Sequence, residues 1–261
     1  MNKYCHIYST ILDNIDMSEY RLRPISAIMY LQDAFARYCA SVNVAAYDLL
    51  PKGIIWVIGE LNSEFEKEFP FWSEEIKVEI WVSEITKLKI YTDYKLIHKD
   101  RVFAKGNACW FLLDKDTKRP VKTDMVAEKF EVCNELVLGE HKKFILKDKN
   151  EKVREIIHKN NLSDIDFNSH VNNKSYLNIA EATAPEEFKK THSLKSLYIR
   201  FNKETFLDDV LYCSAFDTDT KNTYVHEITK ENENICNIQT TWNDKSSNKE
   251  SILDYKLSLK N

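Results

Sequence analysis

The chain has 261 residues, of which 43% are hydrophobic and 30% are charged, so it is long enough to bury one large core or two smaller ones. Its net charge of −4 gives no electrostatic reason to bind nucleic acid or an anionic membrane surface. The sequence has neither a segment that resembles a signal peptide nor an apolar run long enough to span a bilayer, so we expect a cytoplasmic protein.

One helix and several strands are predicted in the first half of the chain. Residues 24–42 have apolar residues at helical spacing after a proline, which suits the first turn of a helix. Residues 76–82, I-K-V-E-I-W-V, alternate as in a half-buried strand, and residues 88–97 and 102–113 have a similar pattern. Residues 114–120 contain the polar and proline residues of a turn.

A similar order of elements recurs after a charged segment. Residues 125–152 are rich in lysine and only weakly periodic, which favours a linker. A strand is then predicted at 153–159, a helix at 173–188 and further strands between 194 and 242. The tail, residues 246–261, has alternating apolar residues that are compatible with one more strand.

Short matches between the two halves indicate an internal repeat. Residues 14–20 align with 164–170, and residues 30–34 align with 176–180. We therefore predict two copies of a strand–helix–antiparallel-sheet unit, in which each helix covers one face of a curved sheet. The predicted organisation is an N-terminal repeat at 1–124, a linker at 125–152 and a C-terminal repeat at 153–261.

Polar residues are concentrated in the second copy. Residues 164–176, D-I-D-F-N-S-H-V-N-N-K-S-Y, precede the predicted helix, where Asp, Asn and Ser usually act as caps. The alignment nevertheless places Asn168, His170 and Glu204 opposite Ser18, Tyr20 and Phe69 of the first copy. This difference favours a catalytic second half and an apolar, substrate-binding first half.

Motifs for several common chemistries are missing from the sequence. The six cysteines include no C-x-x-C pair, which argues against a zinc site and a disulfide framework and fits a reducing cytosol. The four glycines form no phosphate-binding loop, and there is no G-x-S-x-G motif of a serine hydrolase. We therefore expect neither a metal nor a cofactor.

Longer stretches resemble the acyl-acyl-carrier-protein (acyl-ACP) thioesterases of plants and bacteria. The resemblance rests on D-I-D-F-N-S-H-V-N-N at 164–173, F-N-K-E-T-F-L at 201–207 and, nearer the N-terminus, M-S-E-Y-R-L-R-P-I-S-A at 17–27. It implies an α+β fold, a tandem double hotdog in which each of two repeats has a long helix packed on a curved antiparallel sheet.

The resemblance also implies a function, the hydrolysis of fatty acyl-ACP thioesters to free fatty acid and holo-ACP, which ends chain elongation in fatty acid biosynthesis. The implied partner is an acyl carrier protein that carries the acyl chain on phosphopantetheine. Three alternatives stay open: acyl-CoA hydrolysis, dehydration of a hydroxyacyl thioester, and acyl binding without catalysis. A monomer and a homodimer are both compatible with a tandem repeat.

Four site residues carry over from the family: Asp166, Asn168, His170 and Glu204. The family often has a cysteine directly after the glutamate, and this chain has Thr205 there, so attack by water is favoured over a cysteine nucleophile. Either Glu204 or His170 would be the general base, and direct attack by Glu204 through an anhydride also stays open. Asn168 would orient the water or the substrate, and Asp166 would hold its neighbours in place.

Backbone and apolar groups complete the hypothesis. We expect unpaired backbone N–H groups at Val171, Asn172 and Asn173, which would stabilise a developing oxyanion together with the helix dipole. An acyl chain would lie between the first helix and its sheet, where the candidate lining residues are Ile28, Leu31, Ala34, Phe35 and Trp56. The simplest interpretation of these five residues is core packing, which is compatible with an apolar tunnel.

Overall fold

A computed structural model of the chain describes residues 5–14, 17–141, 145–166 and 169–245. The predictions for Asn168 and for the tail at 246–261 therefore lie outside the described residues. The strands are β1 (His6–Ile11), β2 (Met17–Ser18), β3 (Arg21–Leu22), β4 (Ile54–Phe65), β5 (Glu75–Ile85), β6 (Ile90–His98), β7 (Arg101–Asp114), β8 (Pro120–Val121), β9 (Lys152–Lys159), β10 (His192–Phe201), β11 (Val210–Asp217), β12 (Thr223–Lys230) and β13 (Glu233–Asp244). The helices are α1 (Pro24–Ser41), α2 (Ala46–Leu49), α3 (Asp124–Ala127), α4 (Asn173–Ala182) and α5 (Glu186–Thr191).

Among the described residues, eleven strands form one antiparallel sheet, and β2 and β3 form a separate hairpin. The order across the sheet is β1-β5-β6-β7-β4-β10-β13-β12-β11-β9, with β8 added beside β7. The strands β4 and β10 pair from Ser196 opposite Glu64 to Arg200 opposite Glu60. This pairing joins the strands that precede residue 125 to those that follow residue 150 in a single hydrogen-bonded sheet.

Helix α1 confirms the helix predicted at 24–42, with Ser41 as its last helical residue. Pro24 occupies the first turn, where its missing N–H would have no helical partner. Its side chains Ile28, Leu31 and Ala34 are at most 2% exposed and belong to the main apolar core. Each large apolar side chain buried this completely contributes about 1.5–3 kcal/mol, so α1 is held mainly by packing. None of the described helices is both long enough and apolar enough to cross a bilayer.

The helix predicted at 173–188 is wrong in length, because α4 ends at Ala182 and a second helix, α5, begins at Glu186. Pro185 lies between them, and a proline disfavours helical geometry in the residue before it and cannot donate a backbone hydrogen bond. The short α4 places Asn172 as its N-cap, with the Asn172 side chain accepting a hydrogen bond from the Lys174 backbone.

The segment predicted as a linker is attached to the sheet over much of its described length. The Cys133 amide donates to the Val82 carbonyl at 2.9 Å, and the Trp81 indole donates to the Glu135 carbonyl at 2.9 Å. Further along, the Val137 amide donates to the buried Asp93 carboxylate at 2.9 Å. Charge and weak periodicity indicated little regular structure in this segment. These hydrogen bonds nevertheless attach it to strands β5 and β6 of the sheet.

Candidate active site

A tight loop between Asp164 and α4 orients His170. The Asp166 amide donates to the His170 carbonyl at 2.9 Å, and the Ser169 amide donates to the Asp166 carbonyl at 3.0 Å. Ser169 has a φ of 66°, in the left-handed region that a short turn requires. The Asp166 carboxylate accepts from the His170 amide at 3.4 Å, so Asp166 stabilises the turn that carries the histidine.

Two of the three amides proposed for the oxyanion are already hydrogen bonded, and the expectation that they are unpaired is wrong. The Val171 amide donates to the Thr205 carbonyl at 2.9 Å, and the Asn172 amide donates to the Asp164 carbonyl at 2.7 Å. Asn173 is the first residue of α4, and its backbone N–H donates to no other described residue. The N-terminus of α4 therefore offers the Asn173 amide and the helix dipole to a substrate oxygen.

His170 and Glu204 meet at the edge of this loop. The distance from His170 Nδ1 to Glu204 Oε1 is 3.5 Å, and the two side chains are 28% and 32% exposed. The Phe206 ring packs edge-on against the imidazole, with the ring centroids 5.2 Å apart. The pair is thus open to solvent on one side and supported by an aromatic ring on another, as acid–base groups in an accessible site require.

Thr205 links the loop that contains Glu204 to α4, the helix that follows His170. Its side chain is fully buried, and its hydroxyl lies 2.8 Å from the Tyr176 hydroxyl and accepts from the Asn160 amide at 3.3 Å. Burial raises the pKa of Tyr176 to about 12, so this phenol stays protonated. Thr205 therefore has a structural position, and its hydroxyl faces away from bulk water.

No cysteine competes for the role of nucleophile in this part of the fold. Cys213 on β11 is fully buried, and burial raises the pKa of its thiol to about 12. A neutral thiol without water access is a poor nucleophile. Attack by water stays a prediction.

Lys118, in the turn between β7 and β8, also reaches this site. Its ammonium nitrogen is 3.2 Å from Glu204 Oε2, so the carboxylate contacts His170 with one oxygen and Lys118 with the other. Sequence reasoning missed Lys118, because a lysine in a turn far away in the chain carries no motif. Only the packing of the sheet brings it to the glutamate.

A cavity of about 430 Å³ opens in front of these residues. Its polar wall includes Asp166, His170, Lys118 and Glu204, and its apolar wall includes Trp56, Ile58, Leu113 and Phe201. Val171 and Asn173 line it too, whereas Asn172 does not. The structure thus combines a carboxylate–imidazole pair, a helix N-terminus and an apolar surface in one cavity.

Of the five candidate acyl-chain residues, Trp56 alone lines this cavity. Ile28, Leu31, Ala34 and Phe35 are buried in the core and do not line it. Phe35 lies directly behind Trp56, with their rings edge-on and 5.2 Å apart. Phe35 therefore supports the cavity wall from behind, and Ile28, Leu31 and Ala34 are core residues.

Two family models match the chain. The acyl-ACP thioesterase N-terminal domain matches residues 1–130, and the acyl-ACP thioesterase C-terminal domain matches residues 147–244. Relatives include the chloroplastic palmitoyl-acyl carrier protein thioesterase of Gossypium hirsutum, 24% identical over 74% of this chain and 50% of the relative. The oleoyl-acyl carrier protein thioesterase 2 of Arabidopsis thaliana, also chloroplastic, is 28% identical over 69% of this chain and 52% of the relative. The chain thus spans about half the length of these curated relatives.

Solved structures of the same fold cover nearly the whole chain. An acyl-ACP thioesterase from Bacteroides thetaiotaomicron superposes with a TM-score of 0.80 at 20% identity, over 92% of this chain and 98% of that one. The 12:0-ACP thioesterase from Umbellularia californica gives a TM-score of 0.79 at 15% identity, over 94% of this chain and 99% of that one. These similarities show the hotdog fold, and together the two family models cover most of the residues from end to end. The chain belongs to the acyl-ACP thioesterase family.

Proposed function

We propose that this protein hydrolyses fatty acyl-ACP thioesters to a free fatty acid and holo-ACP. The observation that carries the proposal is the His170–Glu204 pair, 3.5 Å apart at the wall of a cavity with an apolar side. Both relatives named above are acyl carrier protein thioesterases. The substrate is then an acyl chain joined through phosphopantetheine to an acyl carrier protein, and the product ends chain elongation.

The geometry supports a mechanism in which water attacks the thioester carbonyl. The carbonyl oxygen would accept a hydrogen bond from the Asn173 amide at the N-terminus of α4, where the helix dipole also favours negative charge. Glu204 or His170 would take a proton from the water as its oxygen bonds to the carbonyl carbon. The carbon–sulfur bond then breaks, and the thiolate takes a proton to leave as a thiol. We assign Asn168 to water or substrate orientation on the motif alone.

We also propose that the two halves are tandem hotdog repeats. The Leu22 amide, two residues before α1, donates to the Pro70 carbonyl at 3.0 Å. The Val171 amide, two residues before α4, donates to the Thr205 carbonyl at 2.9 Å. A hydrogen bond with the same place relative to the helix supports an equivalence between the two halves.

This equivalence changes the sequence alignment by one position. With Leu22 matched to Val171, the counterpart of His170 is Arg21 and not Tyr20, while Phe69 stays the counterpart of Glu204. The Arg21 guanidinium donates to the Phe69 carbonyl at 2.6 Å. The first half thus has no imidazole–carboxylate pair at these positions, which supports a single catalytic centre in the second half.

The test is thiol release from a panel of purified acyl-ACP and acyl-CoA substrates with acyl chains of different lengths. We expect turnover of acyl-ACP substrates with a preference for certain chain lengths, because part of the acyl chain occupies the apolar wall beside Trp56. A heat-denatured sample is the control for spontaneous hydrolysis. If no acyl-ACP in the panel released thiol above that control, the proposed function would be wrong. Faster turnover of acyl-CoA at equal concentration would move the substrate class to coenzyme A thioesters.

A further inference from the structure

Lys118 reaches the candidate active site from the first half of the chain. Its ammonium nitrogen lies 3.2 Å from Glu204 Oε2, and its side chain lines the same cavity as His170. The opposite carboxylate oxygen, Oε1, is 3.5 Å from His170 Nδ1. Glu204 is therefore held between a residue of its own half and one from the other half.

The turn that carries Lys118 is closed by several hydrogen bonds. The Asp114 carboxylate accepts from the Thr117 amide at 2.8 Å and from the Thr117 hydroxyl at 2.7 Å. The bond from the Thr117 amide lowers the pKa of Asp114, so this acceptor is ionised at neutral pH. The Lys118 amide donates to the Asp114 carbonyl at 2.9 Å. The base of the turn is thus constrained even though it lies at the surface.

Lys118 itself has an unusual backbone conformation for a residue with a side chain. Its φ is 56°, in the left-handed region that glycine and asparagine adopt more readily. Such a conformation persists only where the surrounding structure imposes it. The closed turn imposes it here, and the outcome is a lysine side chain directed at Glu204.

Fold stability alone does not account for this contact. Lys118 and Glu204 are 47% and 32% exposed, and an ion pair with that exposure contributes about 0–1 kcal/mol. A charged contact of small energetic value matters more when one partner takes part in catalysis. Since Glu204 faces His170, fixing one carboxylate oxygen determines where the other one points.

We propose that Lys118 is a positioning residue of the thioesterase site. Its ammonium holds Oε2 of Glu204 and directs Oε1 toward His170. This inference rests on the proposed function and deepens it. It makes the catalytic centre incomplete without a residue from the first half of the chain.

A different role for the same ammonium is binding the phosphate of the phosphopantetheine arm. The two roles can be distinguished by comparing acyl-ACP with an acyl-N-acetylcysteamine thioester, a substrate that lacks the phosphate. A positioning residue affects turnover of both substrates equally, because Glu204 acts on both. A phosphate-binding residue affects only the acyl-ACP substrate, and mainly its KM.

The experiment compares the wild-type chain with Lys118→Met, Lys118→Arg and Lys115→Met. Lys115 lies in the same turn, so its substitution is a matched control for the loss of one positive charge. For Lys118→Met we expect kcat to fall by about tenfold or more on both substrates, with KM nearly unchanged. Lys118→Arg should recover most of kcat, and Lys115→Met should match the wild type.

Two results would overturn the inference. Equal kinetics for Lys118→Met and Lys115→Met would leave Lys118 without a role in the site. A rise in KM confined to acyl-ACP, with normal turnover of the N-acetylcysteamine thioester, would assign Lys118 to phosphate binding. Inactivity of the wild type toward every thioester would instead overturn the proposed function itself. Thermal unfolding of each variant, expected to match the wild type, separates these results from misfolding.

Discussion

At the scale of single residues, the polar side chains of this protein differ greatly in exposure. His170 and Glu204 are 28% and 32% exposed, so they can be replaced with little effect on packing. Thr205 and His226 are at most 2% exposed and have hydroxyl or imidazole groups in buried hydrogen bonds. We therefore expect substitutions of the first two residues to affect catalysis and substitutions of the last two to affect stability.

His170→Ala and Glu204→Ala should each reduce kcat by at least about a hundredfold, the effect expected for a positioned acid or base. Their thermal unfolding should match the wild type. His192→Ala is a matched control, because His192 also pairs with a carboxylate, 3.1 Å from Asp244, but does not line the cavity of His170. A near-normal rate for either site variant would remove that residue from the mechanism.

Thr205→Ala should lower the free energy of unfolding by about 1–3 kcal/mol, because it leaves the buried Tyr176 hydroxyl without its partner at 2.8 Å. Urea denaturation measures this change. Thr205→Ser keeps the hydroxyl and should retain most of the stability, so the difference between the two variants isolates the hydrogen bond. If Thr205→Ser and Thr205→Ala lowered the free energy of unfolding equally, the hydroxyl would not contribute to stability.

His226 makes the folded state sensitive to acid. It lies between the Thr183 and Thr240 hydroxyls, and burial lowers its pKa from 6.5 to about 4. Below pH 6.5 this imidazole is protonated in the unfolded chain but stays neutral in the folded chain. The free energy of unfolding therefore falls as the pH drops. The loss reaches about 3 kcal/mol near pH 4 and then levels off.

The measurement is the free energy of unfolding from pH 7 to pH 4 for the wild type and for His226→Gln. The variant removes the titrating group, so its stability should decline less steeply over this range, whatever its stability at pH 7. The other ionisable groups are common to both proteins, and their effect cancels in the difference. Parallel curves would show that His226 protonates equally well in the folded and unfolded states.

At the scale of elements, β4 contributes side chains to the apolar wall of the cavity, and α1 packs behind them. Ala34 is fully buried on α1 and does not line the cavity, so enlarging it would overpack the core. Trp56 on β4 lines the cavity directly, and its indole donates to the Val44 carbonyl at 2.8 Å. Chain-length selection is therefore expected at β4, with α1 supporting it from behind.

Trp56→Leu should shift the preferred acyl chain to greater length, because a smaller side chain leaves room for additional methylenes. Each extra buried methylene contributes about 0.8 kcal/mol, which is roughly fourfold in kcat/KM. Trp72→Leu is the control, since Trp72 is 49% exposed and does not line this cavity. Turnover across a series of chain lengths measures the effect. An unchanged length profile for Trp56→Leu would place the acyl chain elsewhere.

At the scale of the whole molecule, the two halves share one sheet. The β4–β10 ladder joins them, and Arg200 on β10 reaches Glu60 on β4 at 3.0 Å. The side-chain amide of Asn173 on α4 also donates to the side-chain carbonyl of Gln32 on α1 at 3.4 Å. Opening one half would expose apolar side chains of the single core cluster that both halves share, which is costly in water. The halves are therefore expected to unfold together.

Equilibrium unfolding in urea tests this expectation with two probes. Four of the five tryptophans precede residue 111, so fluorescence reports mainly on the first half, whereas far-ultraviolet circular dichroism reports on both. We expect the two transitions to coincide. Arg200→Met should lower both midpoints by the same amount. A fluorescence transition separated from the dichroism transition would mean that the halves unfold independently.

Local pattern in the sequence determined a large part of this protein. Backbone geometry over a few residues explains the apolar spacing of α1, the alternation of β5 and the polar residues before α4. These features can therefore be recognised in the sequence without a structure. The motifs also directed attention to His170 and Glu204, whose side chains lie 3.5 Å apart in the structure, and their catalytic role stays a prediction. In the same way, Pro185 already marked the end of α4, although the spacing of apolar residues alone favoured a longer helix.

Tertiary structure decided the contacts between residues that lie far apart in the chain. The hydrogen bond from Val171 to Thr205, which removes an expected oxyanion donor, exists only because two loops pack together. The contact of Lys118 with Glu204 depends on the pairing of β4 with β10, and no local pattern encodes it. Sequence periodicity specifies which face of an element is buried, whereas the partner of each polar group depends on how the sheet and helices assemble.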